Sequence, residues 1–140
     1  MRKFILALAV LPFLLAGCTK ETIVQHVYQG CVESFYIDVE PRHWVDDPGL
    51  TYIYATFVAP EITADVINNG IVVAYYIDGD GRDNMLPYLL PYRDDSTDEL
   101  YYENVRFDMS QGKITFIIED SDFYHATVNH LMKFKVSVAK

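Results

Sequence analysis

Cysteine, tryptophan and positive charge are scarce in this chain, and each shortage excludes something. Two cysteines, Cys18 and Cys31, cannot build the dense disulfide framework of a small secreted scaffold, so the fold has to rest on a hydrophobic core. The four histidines, His26, His43, His125 and His130, show no i, i+4 pair on a helical pattern and no cysteine at finger spacing, which gives no zinc motif. Lysine and arginine number 11 against 20 aspartates and glutamates, for a formal net charge of −9. Such a surface repels phosphate backbones, so nucleic acid is not an expected partner. No G-x-S-x-G elbow or other nucleophile signature occurs, and the acidic residues are too many for a glycosidase pair to be picked out by count. The expectation is a non-enzymatic chain with no cofactor and no metal. Long apolar runs are missing too, apart from one at the start, Phe4 to Leu15, which is too short to span a bilayer.

That run is the most specific signal present. Met1-Arg2-Lys3 gives a basic start, the apolar stretch follows with one break at Pro12, and Leu15-Ala16-Gly17-Cys18 closes it. This is the three-part plan of a secretory signal peptide. Its end resembles a bacterial lipobox, which implies cleavage before Cys18 and a lipid with palmitate-like acyl chains carried on the Cys18 thiol as a thioether. Each buried CH₂ adds about 0.8 kcal/mol to membrane attachment, so several acyl chains make a durable anchor. The expected organisation is a signal peptide over 1–17, a lipid-anchored Cys and tether over 18–30, and one folded domain over 31–140. The expected location is the cell envelope, with the lipid on Cys18 in a bacterial membrane, the outer one, and the domain periplasmic or surface-exposed. Cys31 then reads as a small buried hydrophobe at a strand start, with an intermolecular disulfide or a reactive thiol as the alternative.

Beyond Cys31 the hydrophobic period is two. Phe35, Ile37 and Val39 alternate with polar neighbours, and Tyr52 to Val58, Ile71 to Asp78, Tyr101 to Phe107, Lys113 to Glu119 and Leu131 to Ala139 each read as strands. Tyr52 to Val58 is apolar enough on both faces to suggest a covered strand, and Ile71 to Asp78 a central one. Pro87 and Pro91 confine Met85 to Tyr92 to an edge. Lys133 and Lys135 on one face of the last strand suit an edge or a solvated position. Pro41 to Gly49 reads as a loop, and Gln111-Gly112 as a hairpin turn. Thr63 can cap a short helix, with Asp65 in its first turn, Ile62, Val66 and Ile67 on one side, and Asn69-Gly70 as a left-handed stop. The fold expected is mostly β: a single antiparallel β-sandwich of about seven strands, immunoglobulin-like in outline, with one short helix near 63–69.

The run Pro60-Glu61-Ile62-Thr63-x-Asp65-Val66-x-Asn68-x-Gly70-x-Val72-x-x-Tyr75, then Leu86-Pro87-Tyr88, then Phe134-Lys135-Val136, resembles a group of small uncharacterised lipoproteins of the Bacteroidota. The likeness covers most of the chain beyond Cys18. It implies the lipid anchor and a β-rich domain, and it brings no activity and no catalytic residue.

Asp78-Gly79-Asp80-Gly81-Arg82-Asp83 begins like a calcium loop but places Arg82 and Asp83 where an EF-hand needs an oxygen ligand and a glycine, so a hairpin turn is the better account. Asp94-Asp95 with Asp98-Glu99, and Glu119-Asp120 with Asp122, read as solvated acidic loops. Trp44 sits among charged residues and stands close in sequence to Asp46, Asp47, Tyr52 and Tyr54. Aromatic rings with neighbouring carboxylates suit a sugar ligand, and the alternative is that Trp44 caps an open end of the core. Two functions follow. The first is a structural or protein-interaction module held at the membrane by Cys18, with an unknown protein as partner. The second is a carbohydrate-binding module whose candidate residues are Trp44, Asp46, Asp47, Tyr52 and Tyr54, with a glycan as partner.

Overall fold

The computed structural model describes residues 32–93, 97–121 and 127–140. The expected signal peptide and tether, Cys18, Cys31, His26, His125, Asp94, Asp95 and Asp122 lie outside the described residues.

Among the described residues nine strands and one short helix run in chain order: β1 (Val32–Val39), β2 (Val45–Asp46), β3 (Ile53–Val58), α1 (Ala64–Asn69), β4 (Ile71–Ile77), β5 (Asp83–Met85), β6 (Tyr88–Arg93), β7 (Leu100–Ser110), β8 (Lys113–Asp120) and β9 (Met132–Ala139). They form two antiparallel sheets, one in the order β1-β9-β4-β5 and the other in the order β2-β3-β8-β7-β6. The chain passes between sheets at both lateral edges. β1 leads through a 3-10 turn at Pro41–His43 to β2, and β5 leads through Leu86-Pro87, a cis peptide, to β6.

The alternation read from sequence decides what is buried. Val39 on β1, Ile53 and Ala55 on β3, Val105 on β7, and Met132, Phe134, Val136 and Val138 on β9 all point into one core. Ile114, Phe116 and Ile118 of β8 share its inner face and are fully buried. The two sheets meet ring on ring there: Phe116 of β8 stacks on Phe134 of β9 with centroids 3.9 Å apart and planes at 14°. Tyr76 of β4 and Tyr88 of β6 form a second pair across the sheets, 6.4 Å apart at 29°.

Several expectations shift. The strand count exceeds the expected one because Val45–Asp46, read as loop, pairs with β3, and because the Met85–Tyr92 segment divides into β5 and β6 in different sheets. Both pieces are edge strands, which is how Pro91 fits within β6. The last strand is solvated on its lysine face but is not an edge, since β9 lies between β1 and β4. β3 and β4 are each flanked by strands on both sides, yet neither is covered on both faces: Thr56 and Val58 of β3 and Ile71 of β4 are exposed. α1 forms where Thr63 caps it, the Thr63 hydroxyl accepting from the Val66 N–H at 3.2 Å. Ile62 and Val66 are buried as expected, whereas Ile67 turns to solvent. Gly70 does not stop the helix in a left-handed conformation; its φ of −104° and ψ of −167° are extended. Glycine is needed there for space, because an added Cβ would lie 2.5 Å from the Ala139 carbonyl oxygen and 2.9 Å from that of Val66.

Candidate functional site

The register of the five-stranded sheet builds a groove on its outer face. Tyr54 of β3 lies opposite Ile117 of β8, which lies opposite Arg106 of β7; the next row is Thr56, Thr115 and Asp108. Tyr52, two residues before Tyr54, projects to the same face. Together with Leu50 these side chains, Arg106 excepted, line a shallow groove of about 340 Å³. Ile117 forms its buried floor, although it points away from the main core. The Tyr52 and Tyr54 rings stand 6.4 Å apart at 64°, so they make two inclined walls and not one flat platform. The Arg106 guanidinium sits over the Tyr52 ring at 5.5 Å, and its Nη1 reaches Asp108 Oδ2 at 3.5 Å. The Thr56 and Thr115 hydroxyls hydrogen-bond across the strands at 2.9 Å.

Of the residues singled out from sequence, the fold brings Tyr52 and Tyr54 together and leaves the others elsewhere. Trp44 is half-buried and packs against the core where the chain crosses from β1 to β2. It precedes Val45, the cross-strand partner of Tyr54, so alternation sends it to the opposite face. Its indole N–H is buried and meets no acceptor among the described residues. Asp46 is exposed on the edge strand β2, opposite Ile53. Asp47 makes a turn: its carboxylate accepts the Gly49 N–H at 2.9 Å and its carbonyl accepts the Leu50 N–H at 2.8 Å. Thr56 shares the face of the two tyrosines as strand alternation requires, whereas Arg106, Asp108, Thr115 and Ile117 were not foreseen as their neighbours. Their signal in the sequence is parity alone, which places each on the polar side of its strand.

The outer face of the four-stranded sheet has a different character. Val32, Ala139 and Ile71 form one row across β1, β9 and β4, and Tyr36, Lys135, Tyr75 and Met85 form another. Val32 and Tyr36 are each 68% exposed, Ile71 65% and Met85 60%. Lys135 crosses this face to pair with Asp83 and lies 4.5 Å over the Tyr75 ring. Asp83 and the tyrosines Tyr36 and Tyr75 push the Lys135 ammonium pKa up, the hydrogen bond to Asp83 being the largest cause.

Two acidic residues break the inner-face pattern. Glu103 of β7 and Asp120 of β8 are cross-strand partners, on the parity of Val105 and Ile118. Asp120 is buried, and burial pushes the Glu103 carboxyl up from its ordinary value. Burial also raises Tyr76, with Asp78, Glu103 and Tyr88 adding to it. β8 runs on through Asp120, so Glu119 and Asp120 face opposite ways and do not share an acidic loop. The Asp78 carboxylate is taken up by its own turn, accepting N–H bonds from Asp80 and Arg82 and one from the Asn84 side chain. These bonds hold its pKa below the usual value, the Arg82 amide contributing most. Among the described residues no group of three or more His, Cys, Asp or Glu side chains is placed to hold a metal ion, and no helix is long and apolar enough to cross a membrane.

Set against protein-family models, curated proteins and solved structures, the chain matches none.

Proposed function

We propose that this chain is a lipid-anchored envelope protein of the small Bacteroidota lipoprotein type, whose β-sandwich domain serves as a protein-interaction module. Cys18 carries the lipid, and the two sheets constitute the sandwich. The Phe116–Phe134 stack and the shared core support the sandwich. An immunoglobulin-like order is the weaker form of it, because here the first strand pairs with the last in one sheet, whereas the immunoglobulin plan pairs it with the second.

The observation that carries the interaction role is the outer face of the four-stranded sheet. Val32, Tyr36, Ile71 and Met85 are all large, apolar and more than half exposed, and the register gathers them on one surface. They lie in two rows with the Ser34–Ser137–Val73 row between them, and exposed apolar side chains gathered on one sheet face in this way suit a contact surface. The partner that fits is a protein presenting an apolar patch of its own. The excess of acidic residues, 20 against 11 basic, disfavours an anionic lipid surface as occupant.

Two measurements test this. Cys18→Ala should abolish metabolic labelling by palmitate and move the protein out of the membrane fraction; an unchanged membrane fraction overturns the anchor. A photo-crosslinking residue placed at position 36 in intact cells should give one discrete protein adduct, absent when the same residue replaces Asp80. Equal adducts from both positions overturn the contact face.

A further inference from the structure

We propose that the groove between Tyr52 and Tyr54 binds a single ring of a neutral carbohydrate. This site lies on the other sheet from the protein-contact face and stands or falls separately from it.

A sugar ring presents an apolar C–H face and a rim of hydroxyls, so its site must supply a ring or aliphatic surface and polar groups that both donate and accept. The groove has both. Tyr54, Tyr52 and the buried Ile117 supply the apolar surface, and Thr56, Thr115 and Asp108 supply hydroxyls and a carboxylate along one side. The arrangement is held before any ligand arrives. The Thr56–Thr115 bond fixes two hydroxyls, and Arg106 over Tyr52 fixes one ring. A tyrosine also has few rotors to freeze, so contact area comes at low entropic cost.

Size and angle set how much of a glycan fits. Small-molecule pockets run from about 300 to 1,000 Å³, and this groove of about 340 Å³ is at the low end. Rings inclined at 64° close on one sugar ring; a flat platform would suit a longer chain. Charge sets which sugar. Arg106, beside the groove, is already committed to Asp108 and to the Tyr52 ring; Lys113 stands one row beyond Thr115, opposite Val58 and Ser110, and Glu119 stands one row beyond Ile117, opposite Asn104. A carboxylated or sulfated sugar would meet Asp108, the charged residue of the groove lining, so a neutral one is favoured.

The test titrates the full chain, in a detergent with no sugar head group, with methyl β-glucopyranoside, galactose, N-acetylglucosamine and, as the charged control, glucuronate. Backbone amide shifts of Thr56, Asp108 and Thr115 are followed. At least one neutral sugar should give saturable shifts centred on these residues, with a Kd on the order of 1 mM, and glucuronate should bind about tenfold more weakly or less. Tyr54→Ala should abolish the shifts and Trp44→Phe should preserve them. Should Tyr54→Ala perturb the fold, Asp108→Asn keeps the size of an exposed side chain, gives up its charge and its pair with Arg106, and should weaken the same sugar several-fold. Absence of saturable shifts with every neutral sugar, shifts centred on Trp44, or glucuronate binding as tightly as the neutral sugars overturns the proposal.

Discussion

Gly70 separates two physical reasons for a glycine at a helix end, and mutation distinguishes them. A glycine after Asn69 at a helix end suggests a left-handed stop, and then asparagine, which tolerates that conformation, should replace it at little cost. The structure gives another reason. Gly70 is extended, and its N–H donates to the Val66 carbonyl at 2.8 Å. A Cβ there would sit 2.5 Å from the Ala139 oxygen and 2.9 Å from the Val66 oxygen, both main-chain atoms. No rotamer change relieves a clash with backbone on two sides. The last turn of α1 and the end of β9 must separate, and overpacking of this kind costs about 1–3 kcal/mol. For a domain of this size that is a fall in Tm of about 4–12 °C. Gly70→Ala and Gly70→Asn should therefore melt together, both well below the parent, when followed by circular dichroism. Gly81 is the control: its φ is +78° and nothing lies within 4 Å of an added Cβ. There Asn should be almost silent and Ala should cost about 1–2 kcal/mol through conformation alone. Parent-like melting of Gly70→Asn beside a destabilised Gly70→Ala would refute the steric account.

Phe134→Ala removes one half of the ring stack between the sheets and should lower stability by about 3–5 kcal/mol in urea unfolding; a loss below 1 kcal/mol would mean that the sheets do not share a core there. Thr63→Ala removes the hydroxyl that accepts the Val66 N–H and should cost about 0.5–2 kcal/mol, with Thr63→Ser close to the parent in the same assay. Glu103→Gln should raise Tm at neutral pH. Its folded-state pKa is raised by burial, so the folded protein binds the proton more tightly than the unfolded chain, and the glutamate's penalty grows as pH rises through the unfolded and then the folded value. The gain from the amide should shrink as the pH falls below the glutamate's ordinary range. A gain that is independent of pH would point to packing and not charge.

The fold was legible wherever a strand is half buried. Phe35, Ile37 and Val39, the Ile114-Phe116-Ile118 triplet and the run Met132 to Val138 repeat with period two, and each points as alternation requires. The helix was legible from its cap, because Thr63 bonds locally and needs no tertiary partner. What was not legible is what pairing alone determines. β2 has two residues, too few to show a period, and it exists because β3 offers it an edge. The Met85–Tyr92 run carries no signal that its two halves belong to different sheets. The lysines of β9 face water equally well in an edge or a central strand, so they mark a face and not a position.

The candidate groove was half legible for the same reason. Tyr52 and Tyr54 share a parity that is visible in sequence, but Ile117 and Arg106 join them only through the β3–β8–β7 register, across long sequence separations. Trp44 stands near them in sequence and is turned to the core by one step of alternation along a strand that the sequence hides. The two outer faces nevertheless repeat one device. Arg106 is paired with Asp108 and laid over Tyr52; Lys135 is paired with Asp83 and laid over Tyr75. In each case a carboxylate neutralises the cation, and an aromatic ring covers its apolar side. An acidic chain thereby gains two sheet faces with rings displayed and local charge balanced. Surfaces of that kind favour contact through shape and apolar area over electrostatic attraction, and that is the physical basis for assigning the binding roles to the sheet faces and not to the acidic loops.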